Sequence, residues 1–303
     1  MQPAAQPTAA PAPEVRNPGP SWGFAFLLWC DRRLPARLFA GALHLGSAVA
    51  VLCMPARRRH SAAYLSHALG RRARFADVAA HFAAFTEALL AKLRAGNGAA
   101  HRCTLAPENQ DAFFALARQP EPALFGTLHL GNSDLLGFLL ADFRKKVAVV
   151  RLQVGNSRDT RDLGRRYGEF VEFVWVNDPA NIPFALKDAT ARGLSVAMQC
   201  DRIEHSAKLE PFAFLGARRL FPFTIYHLAS VLGLPVIHCV GEPAGRDATL
   251  IHASPVFRPT GRRTADLEAA RRHFQEHLAA VEKLLRAHPH LWFNFGPLNP
   301  PAA

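Results

Sequence analysis

The sequence contains no C-x-x-C pair, no G-x-S-x-G, no G-x-x-x-x-G-K-[ST] and no G-x-G-x-x-G. The first absence argues against a zinc knuckle or a redox dithiol, and the others against a serine esterase, a nucleotide hydrolase and a dinucleotide oxidoreductase. Cysteine is sparse: Cys30, Cys53, Cys103, Cys200 and Cys239 are odd in number and widely separated, which favours a reducing compartment over a disulfide framework. Acidic residues are the scarce charge, 24 against 36 Lys plus Arg, leaving a formal +12. That excess favours anionic partners such as phospholipid headgroups, phosphorylated cofactors, acidic carrier proteins or nucleic acid. Residues 1–20 lack a basic segment followed by an apolar one, so they read as a disordered leader and not as a secretory signal.

What is present is enough for a full core: 303 residues, half of them hydrophobic. We expect one main domain over 61–298, an N-terminal membrane-associated helical segment over 21–60, and a loose tail over 299–303. The N-terminal segment holds two apolar runs, Trp22–Cys30 and Leu38–Met54. The second is at the short limit for crossing a hydrocarbon layer of roughly 30 Å. Arg32, Arg33 and Arg37 precede it and Arg57, Arg58 and Arg59 follow, so loop charge assigns no orientation. A helix lying in or dipping into the inner leaflet fits this pattern, with Trp22, Trp29 and the arginines at headgroup level. A helix capping the globular domain is the alternative.

Phe75, Val78, Phe82, Phe85, Leu89 and Leu93 recur at steps of three and four, the period of an amphipathic helix whose stripe faces the core. Beyond residue 120, short apolar runs alternate with helical ones, the rhythm of a largely parallel sheet covered by helices. The expected strands are Ala123–Leu128, Val147–Leu152, Val171–Val176, Leu194–Met198 and Leu234–Val240. The expected helices are Asp134–Asp142, Arg158–Tyr167, Ile182–Arg192, Phe223–Leu232 and Thr264–Ala287.

The segment Ala123–Leu140, ALFGTLHLGNSDLLGFLL, reads as a strand, a tight polar turn and a helix. Such turns at the C-terminal edge of parallel strands are where α/β proteins build sites. Gly131 permits an unusual backbone conformation, Asn132 or Ser133 can cap the helix, and Asp134 falls in its first turn. A loop imidazole held at Nδ1 by a carboxylate five residues on leaves Nε2 free to take a proton from a hydroxyl. On this reading His129 and Asp134 form a general-base dyad, with the amides near Gly131 and Asn132, or an Arg, facing a developing oxyanion. With 14 histidines and 24 acidic residues, H-x4-D alone is a weak pattern.

The turn G-T-L-H-L-G-N-S-D-L-L resembles the H-x4-D/E signature of the lysophospholipid acyltransferase superfamily, in the form found in bacterial lipid A biosynthesis (lauroyl/myristoyl) acyltransferases. Further stretches resemble that family in order and spacing: RDLGRRYG at 161–168, LSVAMQCDR at 194–202, PFAFLG at 211–216 with Pro222, and HPHLWFNF at 288–295. Together they span roughly residues 20–298. The family usually carries Glu where this chain has Asp134, and the wider superfamily often uses Asp.

The resemblance implies an α/β fold with a mostly parallel central sheet flanked by helices, glycerol-3-phosphate acyltransferase-like. It also implies O-acyl transfer from an acyl thioester, on acyl carrier protein or coenzyme A, to a hydroxyl of a membrane glycolipid or other lipid. His129 becomes the base, Asp134 its orienting partner, Arg166, with Arg165 as competitor, an anion-stabilising residue, and Asp201 a site-framing acid. No cofactor beyond the donor and no metal is implied. The implied partners are acyl carrier protein, a membrane lipid acceptor and the cytoplasmic face of a bacterial inner membrane, with no nucleic acid.

Phe212, Phe214, Phe221 and Phe223 are candidates for lining an acyl channel, with core packing the competing expectation. His273 and His277 supply half a metal site and lack a third ligand in the sequence. Two other functions stay open at this stage: a noncatalytic basic lipid- or nucleic-acid-binding protein, and a thioester hydrolase using the same site.

Overall fold

The computed structural model describes residues 21–153, 165, 167–177, 182–206 and 208–299. The chain begins with four helices: α1 (Ser21–Arg33), α2 (Ala36–Cys53), α3 (Pro55–Leu69) and α4 (Phe75–Gly96). Strand β1 (Arg102–Leu105) and α5 (Gln110–Arg118) lead into β2 (Leu124–Thr127), a 3₁₀ turn (Ser133–Leu135) and α6 (Leu136–Asp142). Then come β3 (Val147–Arg151), β4 (Val171–Trp175), α7 (Ile182–Ala191) and β5 (Ser195–Gln199). The hairpin β6 (Leu209–Phe214) and β7 (Ala217–Pro222) is followed by α8 (Thr224–Leu232), β8 (Val236–Pro243), β9 (Ala248–Ala253) and α9 (Arg263–Ala287).

Seven strands make the main sheet in the order β1-β9-β8-β2-β5-β3-β4. β8, β2, β5, β3 and β4 run parallel; β9 is antiparallel to β8, and β1 pairs parallel with β9. Helices cover both faces. Along β2 and β8 the side chains alternate: Leu124 and Val236 pack with α3, α4, α8 and α9, while Phe125 and Ile237 pack with Phe113, Leu116, Leu139 and Leu140 of α5 and α6. The period-two switch of an extended backbone thus builds two cores from one strand. This is the expected mixed α/β architecture with a largely parallel sheet.

β6 and β7 pair outside that sheet through a two-residue turn, Leu215 at φ +49° and Gly216 at φ +78°. Positive φ at both positions matches the twist of a tight hairpin, and at Leu215 it strains the backbone. Burial of the Leu215 side chain and donation of its N–H to Glu282 Oε2 at 2.8 Å hold it there.

α2 is long and apolar enough to cross a membrane by length and composition. Its faces differ: Phe39, Leu43, Ser47 and Val51 are buried, with Phe39 and Leu43 packed against Ala83 and Leu90 of α4, while Leu38, Leu45, Val49 and Leu52 are exposed. At 100° per residue the two sets fall on opposite sides of the helix. On α1, Trp22, Phe26 and Trp29 are exposed along one stripe. The Asp31 carboxylate pins α1 to the body through Arg94 of α4 and Arg246 in the β8–β9 turn, the latter at 2.9 Å.

Several sequence expectations are corrected. α3 runs unbroken through residues 60 and 61, the expected boundary of the N-terminal segment, and buries Tyr64 and Leu65 in the main core. On α4, Val78, Phe82 and Leu93 are buried as expected, but Phe75 and Phe85 are exposed. Asn299, the expected start of a loose tail, is buried and bonded through both side chain and main chain: Nδ2 donates to Asp201 O at 3.0 Å and its backbone carbonyl accepts from Arg219 Nη1 at 3.0 Å. The expected leader 1–20 and nearly all of the expected helix 158–167 lie outside the described residues.

Candidate active site

β2 and β5 are adjacent parallel strands in register Leu124↔Val196 through Thr127↔Gln199, and the pairing continues as Cys200 N donates to Thr127 O at 2.7 Å. Two residues beyond that register on each strand stand His129 and Asp201. His129 Nδ1 lies 2.7 Å from Asp201 Oδ1, and the His129 backbone N–H donates to Asp201 Oδ2 at 2.9 Å. Trp292 Nε1–H donates to the same Oδ2 at 2.8 Å.

The carboxylate, 1% exposed, is therefore fully engaged. Burial pushes its pKa up, but the His129 ring and the hydrogen bonds outweigh that, and the net direction is down. An ionised carboxylate only accepts, so the ring proton sits on Nδ1 and the Nε2 lone pair points away from Asp201. The His129 side chain is 21% exposed, so it stands at the surface of the fold.

The loop is clamped from two sides. Phe293 N donates to His129 O and Gly131 N to Leu291 O, each at 2.7 Å, so the chain end forms one wall. On the other, Gly131 bridges Gly241 of β8, and Asn132 N donates to Gly241 O at 2.7 Å. Gly131 has φ +49°, and a Cβ there would lie 2.3 Å from Gly241 O, so only glycine fits. The supporting shell includes His81 of α4: Nε2–H donates to Trp292 O at 2.9 Å and Ser61 Oγ–H donates to Nδ1 at 2.8 Å. Burial drives the His81 pKa down to about 3, so the ring is neutral.

Asp134 is not the Nδ1 partner of His129, which corrects the expected dyad. Its Oδ2 accepts from Lys92 Nζ of α4 at 2.6 Å and its Oδ1 from Gln199 Nε2 at 3.2 Å. Its side chain is 41% exposed and that of Lys92 is 12% exposed. The Lys92 charge, with Arg151 adding to it, overcomes partial desolvation and holds the Asp134 carboxyl down at about 2. Asp134 is thus a permanent anion at the rim of the site, not a proton carrier.

The other sequence candidates fall as follows. The amide N–H groups of Gly131 and Asn132 are already donated to Leu291 O and Gly241 O, so they do not form the expected oxyanion hole. The Asn132 side chain turns inward, donating from Nδ2 to Thr249 Oγ1 at 2.9 Å, and leaves its buried Oδ1 without a partner. Neither Asn132 nor Ser133 caps the helix; Ser133 Oγ accepts from Gly241 N at 3.0 Å instead.

Phe212, Phe214, Phe221 and Phe223 are all in the core, not along an open channel. Phe214 stacks edge-on against Trp292 at 5.3 Å and so backs the Asp201 carboxylate. Arg165 is helical and exposed; Arg166 lies outside the described residues. His273 and His277 face His238 and Tyr226 in a buried aromatic cluster under α9. Among the described residues no three His, Cys, Asp or Glu side chains converge as metal ligands.

Sequence reasoning missed Lys92, Gln199, His81 and Asn299. Lys92 falls on a polar position of the helical pattern, where a solvated charge is the ordinary expectation, and no spacing ties it to the His129 loop. Compared with known proteins, the sequence matches no family model and no curated protein.

Proposed function

We propose that this chain is an O-acyltransferase of the lysophospholipid acyltransferase superfamily, similar to the bacterial lipid A biosynthesis acyltransferases. One observation carries the reading: an imidazole at the C-terminal edge of a parallel sheet, its Nδ1 held by a buried carboxylate and its Nε2 left outward. Nε2 takes the proton of an acceptor hydroxyl as the oxygen attacks the thioester carbonyl. Asp201 stabilises the imidazolium that forms. The tetrahedral oxyanion collapses, the C–S bond breaks, and the departing thiolate takes the proton from Nε2. Arg151, whose charge reaches Asp134, is a candidate to support the anion, since the Gly131 and Asn132 amides are spent on backbone bonds and Lys92 is paired with Asp134. Arg166 is a further candidate for that task.

The donor is an acyl thioester on acyl carrier protein or coenzyme A, and the +12 charge favours the acidic carrier. The acceptor hydroxyl belongs to a membrane lipid. The exposed stripes of α1 and α2 support attachment to a membrane, and the proposed thioester donor assigns it to the cytoplasmic face of an inner membrane. Because the opposite side of α2 is buried against α4, we place α2 along the leaflet and not across the bilayer.

The test is transfer from a purified acyl thioester with His129→Ala, expected to fall by a factor on the order of 10² to 10⁴. Normal transfer by that variant rejects the mechanism. Lipid mass spectrometry of membranes with and without the gene identifies the acceptor through a missing acyl increment. Release of free fatty acid with no acylated lipid assigns the chain as a thioester hydrolase instead.

A further inference from the structure

An open pocket of about 300 Å³ lies between the start of α3 and the start of α4, lined by Arg58, Arg59, Ala62, Ala73, Arg74, Phe75 and Val78. Three guanidinium groups border it, and its remaining lining is apolar. The Arg58, Arg59 and Arg74 side chains have no ion-pair partner among the described residues. Asp77, the acidic residue in the first turn of α4, does not neutralise them: Arg71 binds both of its oxygens, at 2.8 and 2.9 Å, and its Oδ2 also accepts from Arg74 N at 2.7 Å. The N-terminal turn of α4 adds the positive end of a 22-residue helix dipole.

Concentrated positive charge over an apolar floor suits a ligand with a charged head and an apolar continuation. Location narrows the choice. α2 ends at Cys53, and Arg58 and Arg59 follow on the next helix, so the pocket adjoins the end of the exposed apolar face of α2. Val51 near the end of α2 and Val78 of the pocket wall are both buried in the main core. Phe75, half exposed, extends an apolar edge from the pocket rim.

We propose that this pocket binds the headgroup phosphate of a membrane glycerophospholipid, with Arg58, Arg59 and Arg74 on the phosphate and the glyceryl carbons against Ala62, Ala73 and Val78. The site is separate from His129 and does not depend on acyl transfer. It anchors the protein at one point on an anionic leaflet.

The test is co-sedimentation of the full chain with vesicles of phosphatidylcholine alone and of phosphatidylcholine containing phosphatidic acid. The wild type should prefer the phosphatidic acid vesicles. Each arginine near an anionic surface contributes about fivefold, so R58Q/R59Q/R74Q should lose affinity on the order of a hundredfold. R218Q/R258Q/R272Q, with the same charge change at exposed sites outside the pocket, should keep most of it. Equal losses in the two triple variants would mean diffuse attraction and overturn the proposal, as would a wild type without preference. Far-UV circular dichroism checks that the pocket variant folds. Should it not, the single Arg59→Glu change at an exposed position replaces it and must abolish the preference. Soluble glycerol 3-phosphate is the second probe: if it binds as tightly as the lipid, the pocket serves a free phosphate ester and the lipid assignment fails.

Discussion

Asp201 and Asp134 both border the His129 loop, and their surroundings differ in nearly every respect. Asp201 is buried, accepts three hydrogen bonds, and is fixed by strand register, a tryptophan and the chain end. Asp134 is two-fifths exposed and is held by a lysine from a helix and a glutamine from a strand end. The floor of the site is a packed part of the fold, whereas the rim is an ion pair that solvent reaches. The difference teaches that the residue nearest in sequence to a catalytic candidate need not be its partner. Strand pairing delivers Asp201 to His129 from 72 residues away, while the clamped turn carries Asp134, five residues on, to Lys92 and Gln199 instead.

The sharpest way to break this comparison is to exchange each carboxylate for its amide. In Asp201→Asn one side-chain atom becomes a donor facing the N–H groups of His129 and Trp292, so the ring loses its hold. Transfer should fall by a factor on the order of 10² to 10⁴, and urea unfolding should show a loss of roughly 1–3 kcal/mol from the unsatisfied buried groups. Asp134→Asn should change transfer far less, and the reverse ranking in the same assay would overturn the assignment of floor and rim.

Acid should separate the two regions next. His81, which supports Trp292, and His277 under the sheet both have pKa values lowered by burial to about 3, below their ordinary 6.5. A histidine whose folded pKa is depressed stabilises fully above its unfolded pKa, and that stability is lost as pH falls from about 6.5 toward the folded value. Each should contribute a slope of about 1.4 kcal/mol per pH unit in that window, measured from urea midpoints. The Asp134 pair should not respond until pH drops below about 3.8, because its carboxyl is held at about 2.

Gly131→Ala tests the clamp between loop and sheet. Its Cβ would meet Gly241 O at 2.3 Å in a positive-φ conformation, so we expect a loss of roughly 1–3 kcal/mol in denaturant unfolding and a displaced His129. The smallest effect belongs to Lys92→Met. Breaking a part-exposed pair should cost under about 1 kcal/mol, while NMR titration should show the Asp134 carboxyl rising from about 2 toward its ordinary range. A stability loss as large as that of Asp201→Asn would mean that the rim is as structural as the floor.

Much of the fold was legible because its signals are local. The runs at 123–128, 147–152 and 171–176 are mostly apolar, as strands of a sheet covered by helices require, and each forms a strand within one residue of its expected limits. β1, with the sequence RCTL, and β9, with ATLIHA, were not legible. They lie at one side of the sheet, where fewer apolar residues are needed and short polar-mixed strands resemble loop. α3 was hidden by its three consecutive arginines, which obscure the buried pair Tyr64 and Leu65. In the site, His129 and the need for glycine at 131 could be read from a strand running into a tight turn. The Lys92 contact could not, because nothing in a helix pattern reports which rim a lysine reaches.

The order of the residues alone determined an α/β chain with a largely parallel sheet, an apolar helix of membrane length, and a histidine on the loop after the apolar run 123–128, since each depends on patterns a few residues long. Tertiary structure alone decided which acid holds that histidine, which amides are already spent on backbone bonds, and which side of α2 is left uncovered. Those outcomes depend on the register between β2 and β5, on the return of the chain end over the loop, and on α4 occupying one face of α2. No local pattern encodes a distance between segments that only packing brings together.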